Sequence, residues 1–162
     1  MVMNIRVIVL GSGLSGLSAA YFLSRSGLHA LVLDTLILEE AGDKGGRTPY
    51  EWLSGILTKR VPVVKDTRIL HVSALPEMHR AHVEIQRPGK KKETLTAHRV
   101  VFALPSTEIE AVLQTAFAIN DLKSLQSGIF TFCSDCFSGR RLDKAVFAGI
   151  NAAKRVMQSV NL

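Results

Sequence analysis

Residues 7–34 read VIVLGSGLSGLSAAYFLSRSGLHALVLD, and the order of parts in this stretch decides the fold. An apolar run from Ile5 to Leu10 enters Gly11-Ser12-Gly13-Leu14-Ser15-Gly16. An Ala- and Leu-rich amphipathic stretch follows, and a second apolar run, Ala30 to Leu33, ends on Asp34. Strand, tight turn, helix, strand and acid fit within the about thirty residues that a dinucleotide-binding βαβ unit needs. Each glycine has a task. Gly11 lets the chain leave the strand sharply. Gly13, without a Cβ, lets backbone N–H groups approach a pyrophosphate. Gly16 lets the helix pack close to the strand. The helix N-terminus then faces the phosphates with its partial positive charge. Asp34 stands where a carboxylate accepts from a ribose 2′-hydroxyl, which argues for a plain hydroxyl rather than a 2′-phosphate. The whole turn, Gly11, Ser12, Gly13, Leu14, Ser15 and Gly16, together with Asp34, is the candidate dinucleotide site. The bland alternative is an ordinary βαβ turn.

Outward from this unit, the chain of 162 residues suits one domain, and 47% hydrophobic residues supply a core. The formal charge of +6 is dispersed except at Lys90-Lys91-Lys92. Beside Pro88-Gly89 that tract reads as a solvated hairpin tip, so no nucleic-acid surface is expected. Positive potential still favours an anionic ligand. Two cysteines are too few for a disulfide scaffold. No apolar run reaches membrane-span length, and Met1 to Arg6 lack the order of a signal peptide. A soluble, cytoplasmic protein is the expectation.

After Asp34 comes a second glycine signal, Gly45-Gly46-Arg47. Paired glycines followed by arginine bring backbone and a fixed positive charge to a ligand; the alternative is a flexible loop. Gly11, Gly13, Gly16, Asp34, Gly45, Gly46 and Arg47, in this order, resemble the N-terminal pattern of the flavin-containing amine oxidases, whose relatives include protoporphyrinogen oxidases and carotenoid desaturases. Those proteins share an FAD-binding fold of the glutathione-reductase type. The resemblance implies that Gly11, Gly13 and Gly16 meet the FAD pyrophosphate and that Asp34 meets the adenosine ribose. It places Gly45, Gly46 and Arg47 along the pyrophosphate toward the flavin. Asp34 and Gly45 are further apart than the family usually has them, and Leu36 to Glu40 reads as a small excursion.

Pro49 to Lys59 has apolar residues at helical spacing, with Pro49 suited to the first turn and Trp52 expected in packing. Thr67 to Leu75, Ala81 to Arg87 and Glu93 to Thr96 read as a three-stranded antiparallel meander separated by Pro76 and Pro88-Gly89. The family carries two apolar residues three apart in the strand entering this meander; Ile69 and Val72 fit, which implies that the Ile69 backbone lies near the adenine. Arg99 to Leu104 reads as a buried strand. Thr107 to Phe117 reads as a helix capped by Ser106 or Thr107.

Gly128 to Asp135 reads as an apolar strand feeding a polar turn, and Lys144 to Val160 as a helix. This end resembles the family's C-terminal flavin motif, in which Asp135 takes the acid's place by the ribityl or pyrophosphate oxygens. Ala145, Gly149, Ala152 and Ala153 match its helix, while Ser134 stands where glycine is usual. Cys133 and Cys136 allow a redox pair at a helix start or half a zinc site; no second Cys pair exists to complete zinc, and buried packing is the simpler reading of Cys133. The five histidines form no nucleophile–base–acid set.

The expectation is an α/β, FAD/NAD(P)-binding Rossmann-like domain. A central parallel sheet would have helices on one side and the small meander, residues 67–97, across the other. Two functions stay open. One is an FAD-dependent oxidoreductase module of amine-oxidase type, taking hydride from a small-molecule amine or C–H donor. The other is a flavin-binding scaffold, or a truncated or engineered fragment, without its own turnover. Full-length relatives insert a long substrate domain, and in the fragment reading a partner chain supplies that cavity. A simple NAD-binding fold is a third reading.

Overall fold

A computed structural model describes residues 6–34, 49–113, 128–133 and 142–160. Its frame is a five-stranded sheet, formed by β1 (Arg6–Leu10), β2 (His29–Leu33), β3 (Val63–Val64), β7 (Arg99–Phe102) and β8 (Phe130–Phe132). The order is β3-β2-β1-β7-β8, with all neighbours parallel. Parallel strands need a crossover, and buried ones read as continuous apolar runs because both faces are covered. VIVL, LVL and RVVF are such runs. Their side chains alternate between two cores. Val7, Val9, Ala30, Val32 and Val101 face one; Ile8, Leu10, Leu33, Val100 and Phe102 face the other.

The first core lies under α1 (Leu14–Arg25), α2 (Pro49–Thr58) and α4 (Leu142–Ser159). Helix α1 ends in a Schellman turn. Gly27 adopts φ +91°, the Leu28 N–H donates to the Leu23 carbonyl at 3.0 Å, and the Gly27 N–H donates to that of Ser24 at 3.2 Å. A left-handed glycine here turns the chain into β2 at little steric cost. On α2, Leu57 is buried and Leu53 packs beside it. Trp52, expected in core or flavin-domain packing, is 59% exposed and Ile56 is 38% exposed, so neither lies in the core. Residues four apart share a helix face, and the 53/57 face, not the 52/56 face, meets the core.

The second core is closed by the antiparallel meander β4 (Arg68–Leu75), β5 (Arg80–Gln86) and β6 (Glu93–Ala97), as expected from sequence. Val72, Ala81, Val83, Ile85 and Ala97 pack against Ile8, Val100 and Phe102. The Phe102 ring stacks on Phe132 (4.9 Å, 15°) and meets Phe130 edge-on (5.1 Å, 84°). Helix α3 (Ser106–Leu113) also sits on this side, through Ile109 and Val112. The helices are therefore not all on one face, as the sequence reading had it. Helix α3 starts at Ser106 and not at Thr107, so its cap position is Pro105, whose carbonyl accepts from the Glu108 and Ile109 N–H groups, both at 3.0 Å. Ser106 and Thr107 are thus inside the helix rather than at its cap.

Helix α4 is fastened to the sheet at two points. Arg99, at the start of β7, donates through Nε to the Ser159 hydroxyl (2.8 Å) and through an Nη to its carbonyl (2.9 Å). Arg155 donates to the Phe132 carbonyl at 2.7 Å. Among the described residues, no helix is long and apolar enough to cross a membrane.

Candidate functional site

The strands end in register. Val64, Leu33, Leu10, Phe102 and Phe132 form one row across the sheet. The ladder runs one residue further. The N–H groups of Asp34, Gly11, Ala103 and Cys133 donate to the carbonyls of Val64, Leu33, Leu10 and Phe102 at 2.8–3.0 Å. Strand order reverses between β1 and β7, and ligands of open α/β sheets bind in the crevice beyond the carboxyl ends at such a switch point. Gly11 stands there, beside Ala103.

Backbone geometry explains two of the three turn glycines. Gly11 has φ +108°, and a Cβ on it would overlap the Ala103 carbonyl oxygen. A Cβ on Gly16 would overlap the Gly11 carbonyl oxygen and lie 3.2 Å from the Ala103 Cβ. Gly13 differs: φ −65°, ψ 175° is open to any residue. It is exposed, so neither conformation nor protein packing calls for glycine there.

Gly13 caps α1 without a side-chain hydrogen bond, and the first turn holds no acidic residue. A helix N-terminus with no acid in its own first turn favours an anion through its partial positive charge. Asp34 lies at the end of β2, and the Ser12 hydroxyl donates to its Oδ1 at 2.7 Å. That hydrogen bond ties the turn to the acid. Sequence reading named both residues without linking them. Ser12, Gly13 and Asp34 thus come together with the start of α1. Leu14, Ser15 and Gly16 are buried beneath.

Ile69 is reached through Thr67, a 1% exposed residue whose N–H donates to the Asp34 carbonyl at 3.1 Å. A β-bulge between Ile69 and His71 breaks the pairing with β5. Residues three apart on a regular strand face opposite sides, but the bulge turns Ile69 and Val72 to the same core. Ile69 lines a cavity of about 640 Å³ between β4, the β5–β6 turn and α3, with Leu104, Val112, Arg68, Arg87 and Glu108 around it. Among these, Leu104 and the α3 residues carried no sequence signal beyond their place after the switch-point strand.

Gly45, Gly46, Arg47 and Asp135 lie outside the described residues, as do Ser134 and Cys136. Cys133 is buried. Among the described residues, no three His, Cys, Asp or Glu side chains gather as a metal site would require. Ala145, Ala152 and Ala153 are buried against α1. A Cβ on Gly149 would overlap the Ser15 carbonyl oxygen and lie 2.9 Å from both the Ala19 nitrogen and the Ser18 Cβ. The small residues of α4 therefore bring two helix backbones together behind the glycine turn.

The family profile of the NAD(P)-binding Rossmann-like domain matches residues 9–73. No curated protein matches the chain. Among solved structures, the aromatic hydroxylase CabE from angucycline biosynthesis is similar at 16% identity and TM-score 0.53, over 65% of this chain and 32% of that one. Aklavinone-11 hydroxylase, solved with FAD and aklavinone, is similar at 17% identity and TM-score 0.53, over 66% and 34%. The p-nitrophenol 4-monooxygenase PnpA from Pseudomonas putida DLL-E4 is similar at 13% identity and TM-score 0.52, over 69% and 44%. The chain thus spans about a third to under a half of the length of these structures. With the parallel sheet, its crossover helix and the matched profile, the protein carries a Rossmann-like α/β fold.

Proposed function

We propose that the chain binds FAD as the dinucleotide-binding part of an oxidoreductase. The observation that carries this is the meeting of the α1 N-terminus, at an exposed Gly13, with the Ser12–Asp34 pair at the switch point. The backbone around Gly13 would hold the pyrophosphate. Asp34, held by Ser12, would accept from the adenosine ribose. Ile69 and its cavity would take the adenine. Bound flavin supplies hydride acceptance, and the protein supplies binding, orientation and electrostatics. FAD rather than NAD is supported by the Gly45-Gly46-Arg47 and Asp135 signals and by the FAD in the aklavinone-11 hydroxylase complex.

The reaction class is a finer proposal. The sequence motifs favour amine-oxidase-type transfer of hydride from a small-molecule donor, while CabE and PnpA are by name a hydroxylase and a monooxygenase. Their identity to this chain is too low for the chemistry to transfer. A second reading, a flavin-binding module that turns over only with a partner or further domain, is favoured by the span of about a third of CabE's length.

The test is Gly13→Val. The backbone there accepts valine, so the change leaves stability within about 1 kcal/mol, a cap-residue effect. Its side chain would block the pyrophosphate, and FAD affinity, read by fluorescence quenching, falls at least tenfold. Unchanged affinity removes the site. NAD rather than FAD released on heating removes the flavin reading. Flavin that no amine or C–H donor bleaches favours the module without turnover.

A further inference from the structure

A second cavity, of about 770 Å³, opens at the other edge of the parallel sheet, where β1 and β2 begin. Strands of this length place it about 15 Å from the glycine turn. Its basic lining is Arg6, His29, Arg80 and His98; among the described residues no Asp or Glu lines it. Leu28, Ala30, Leu31 and Pro62 supply an apolar floor, and Leu28 and Ala30 are buried. Among the described residues, none of the four basic side chains makes an ion pair.

Concave walls of one charge sign focus potential and draw counter-ions. Burial, then the Arg80 and Arg99 guanidiniums, hold the His98 imidazole below the ordinary 6.5. Its Nδ1 accepts the Arg6 backbone N–H at 3.2 Å, so the neutral ring carries its proton on Nε2 as a donor. Arg99 is already engaged by Ser159, which leaves Arg80 as the guanidinium that both lines the cavity and acts on the imidazole.

We propose that this cavity is a second ligand site, separate from the dinucleotide crevice, for a small organic anion with a phosphate or carboxylate head on an apolar body. The head meets Arg80 and His98, and the body lies on Leu28 and Leu31. The proposal is independent of which dinucleotide the crevice holds.

The experiment is calorimetric titration of the whole protein at low salt with phenyl phosphate, benzoate and inorganic phosphate, with and without saturating ADP. Saturable binding of phenyl phosphate or benzoate is expected, tighter than inorganic phosphate and unchanged by ADP. Whichever of the two binds more tightly identifies the head group. Arg80→Gln weakens it about tenfold, as loss of a charge-assisted contact should. Arg80 is exposed, so the variant folds; His29→Gln gives a second, smaller loss. The His98 ring resonance, identified by its disappearance in His98→Gln, titrates at higher pH when the anion is bound. No saturable binding by any probe overturns the proposal, as does binding displaced by ADP and indifferent to Arg80→Gln. Inorganic phosphate binding as tightly as phenyl phosphate overturns the apolar-body assignment.

Discussion

Replacing glycine by alanine should have opposite effects in two helices of this fold. In α4, Gly149→Ala places a methyl group into the Ser15 carbonyl oxygen and within 2.9 Å of Ala19 N and Ser18 Cβ. Two of those atoms are backbone, so no rotamer relieves the overlap, and α4 must move away from α1. Overpacking of this kind costs about 1–3 kcal/mol or more, and backbone neighbours put it near the upper end. Alanine returns about 1 kcal/mol through helix propensity. The net loss is about 2 kcal/mol. In α2, a Cβ on Gly55 meets nothing within 4 Å, so Gly55→Ala keeps only the propensity gain, about 0.5–1 kcal/mol. For a chain of 162 residues, each kcal/mol is about 2–4 °C in Tm. Thermal and urea unfolding should show Gly149→Ala lower by about 4–8 °C and Gly55→Ala higher by about 1–4 °C. Since α4 leans on Ser15 to Ala19, the displaced helix should also weaken dinucleotide binding. A Gly149→Ala protein as stable as Gly55→Ala would refute the close approach of the two helices.

Ser12→Ala removes the 2.7 Å hydrogen bond to Asp34, and FAD affinity should fall about 5- to 30-fold, equivalent to about 1–2 kcal/mol; equal affinity in a binding titration would show that Asp34 needs no such support. His98 has its pKa depressed on folding, so between the unfolded value near 6.5 and the lower folded one the unfolded chain binds more protons. Its contribution to stability is full above that unfolded value and is lost as pH falls through the folded pKa; urea unfolding from pH 8 to pH 5.5 should show a smaller decline in His98→Gln. Phe102, fully buried between two other rings, should cost about 3–5 kcal/mol as Phe102→Ala. Trp52, by contrast, is exposed, so Trp52→Gln should stay within about 0.5 kcal/mol, and its fluorescence should be readily quenched by acrylamide.

Much of this arrangement was legible in the chain. Residues 7–34 announce strand, turn, helix and strand because glycine placement and apolar runs are local signals, and the alternation of residues 81–87 marks the meander as plainly. What escaped was decided at a distance. Val63–Val64 is a strand only because β2 offers it a partner, and two residues carry no periodicity. Trp52 faces outward because the Leu53 side of α2 meets the core first. The side on which α3 packs depends on Ile109 finding the meander. At the site, Gly11 and Gly16 were read for the right reason. The Ser12–Asp34 bond and the bulge that turns Ile69 inward were not visible, since each depends on elements brought together by the sheet. Gly149 was legible as a small residue in a helix, but its neighbour Ser15 is more than a hundred positions earlier.

That separation has a consequence for biogenesis. The glycine turn leaves the ribosome more than a hundred residues before the helix that buttresses it. Until α4 docks, with Arg99 and Arg155 pinning it to the sheet, the Ser15 to Ala20 side of α1 has no cover. A nascent chain lacking α4 should therefore present an apolar surface to chaperones, and the glycine turn should reach its final geometry only once α4 has emerged and docked.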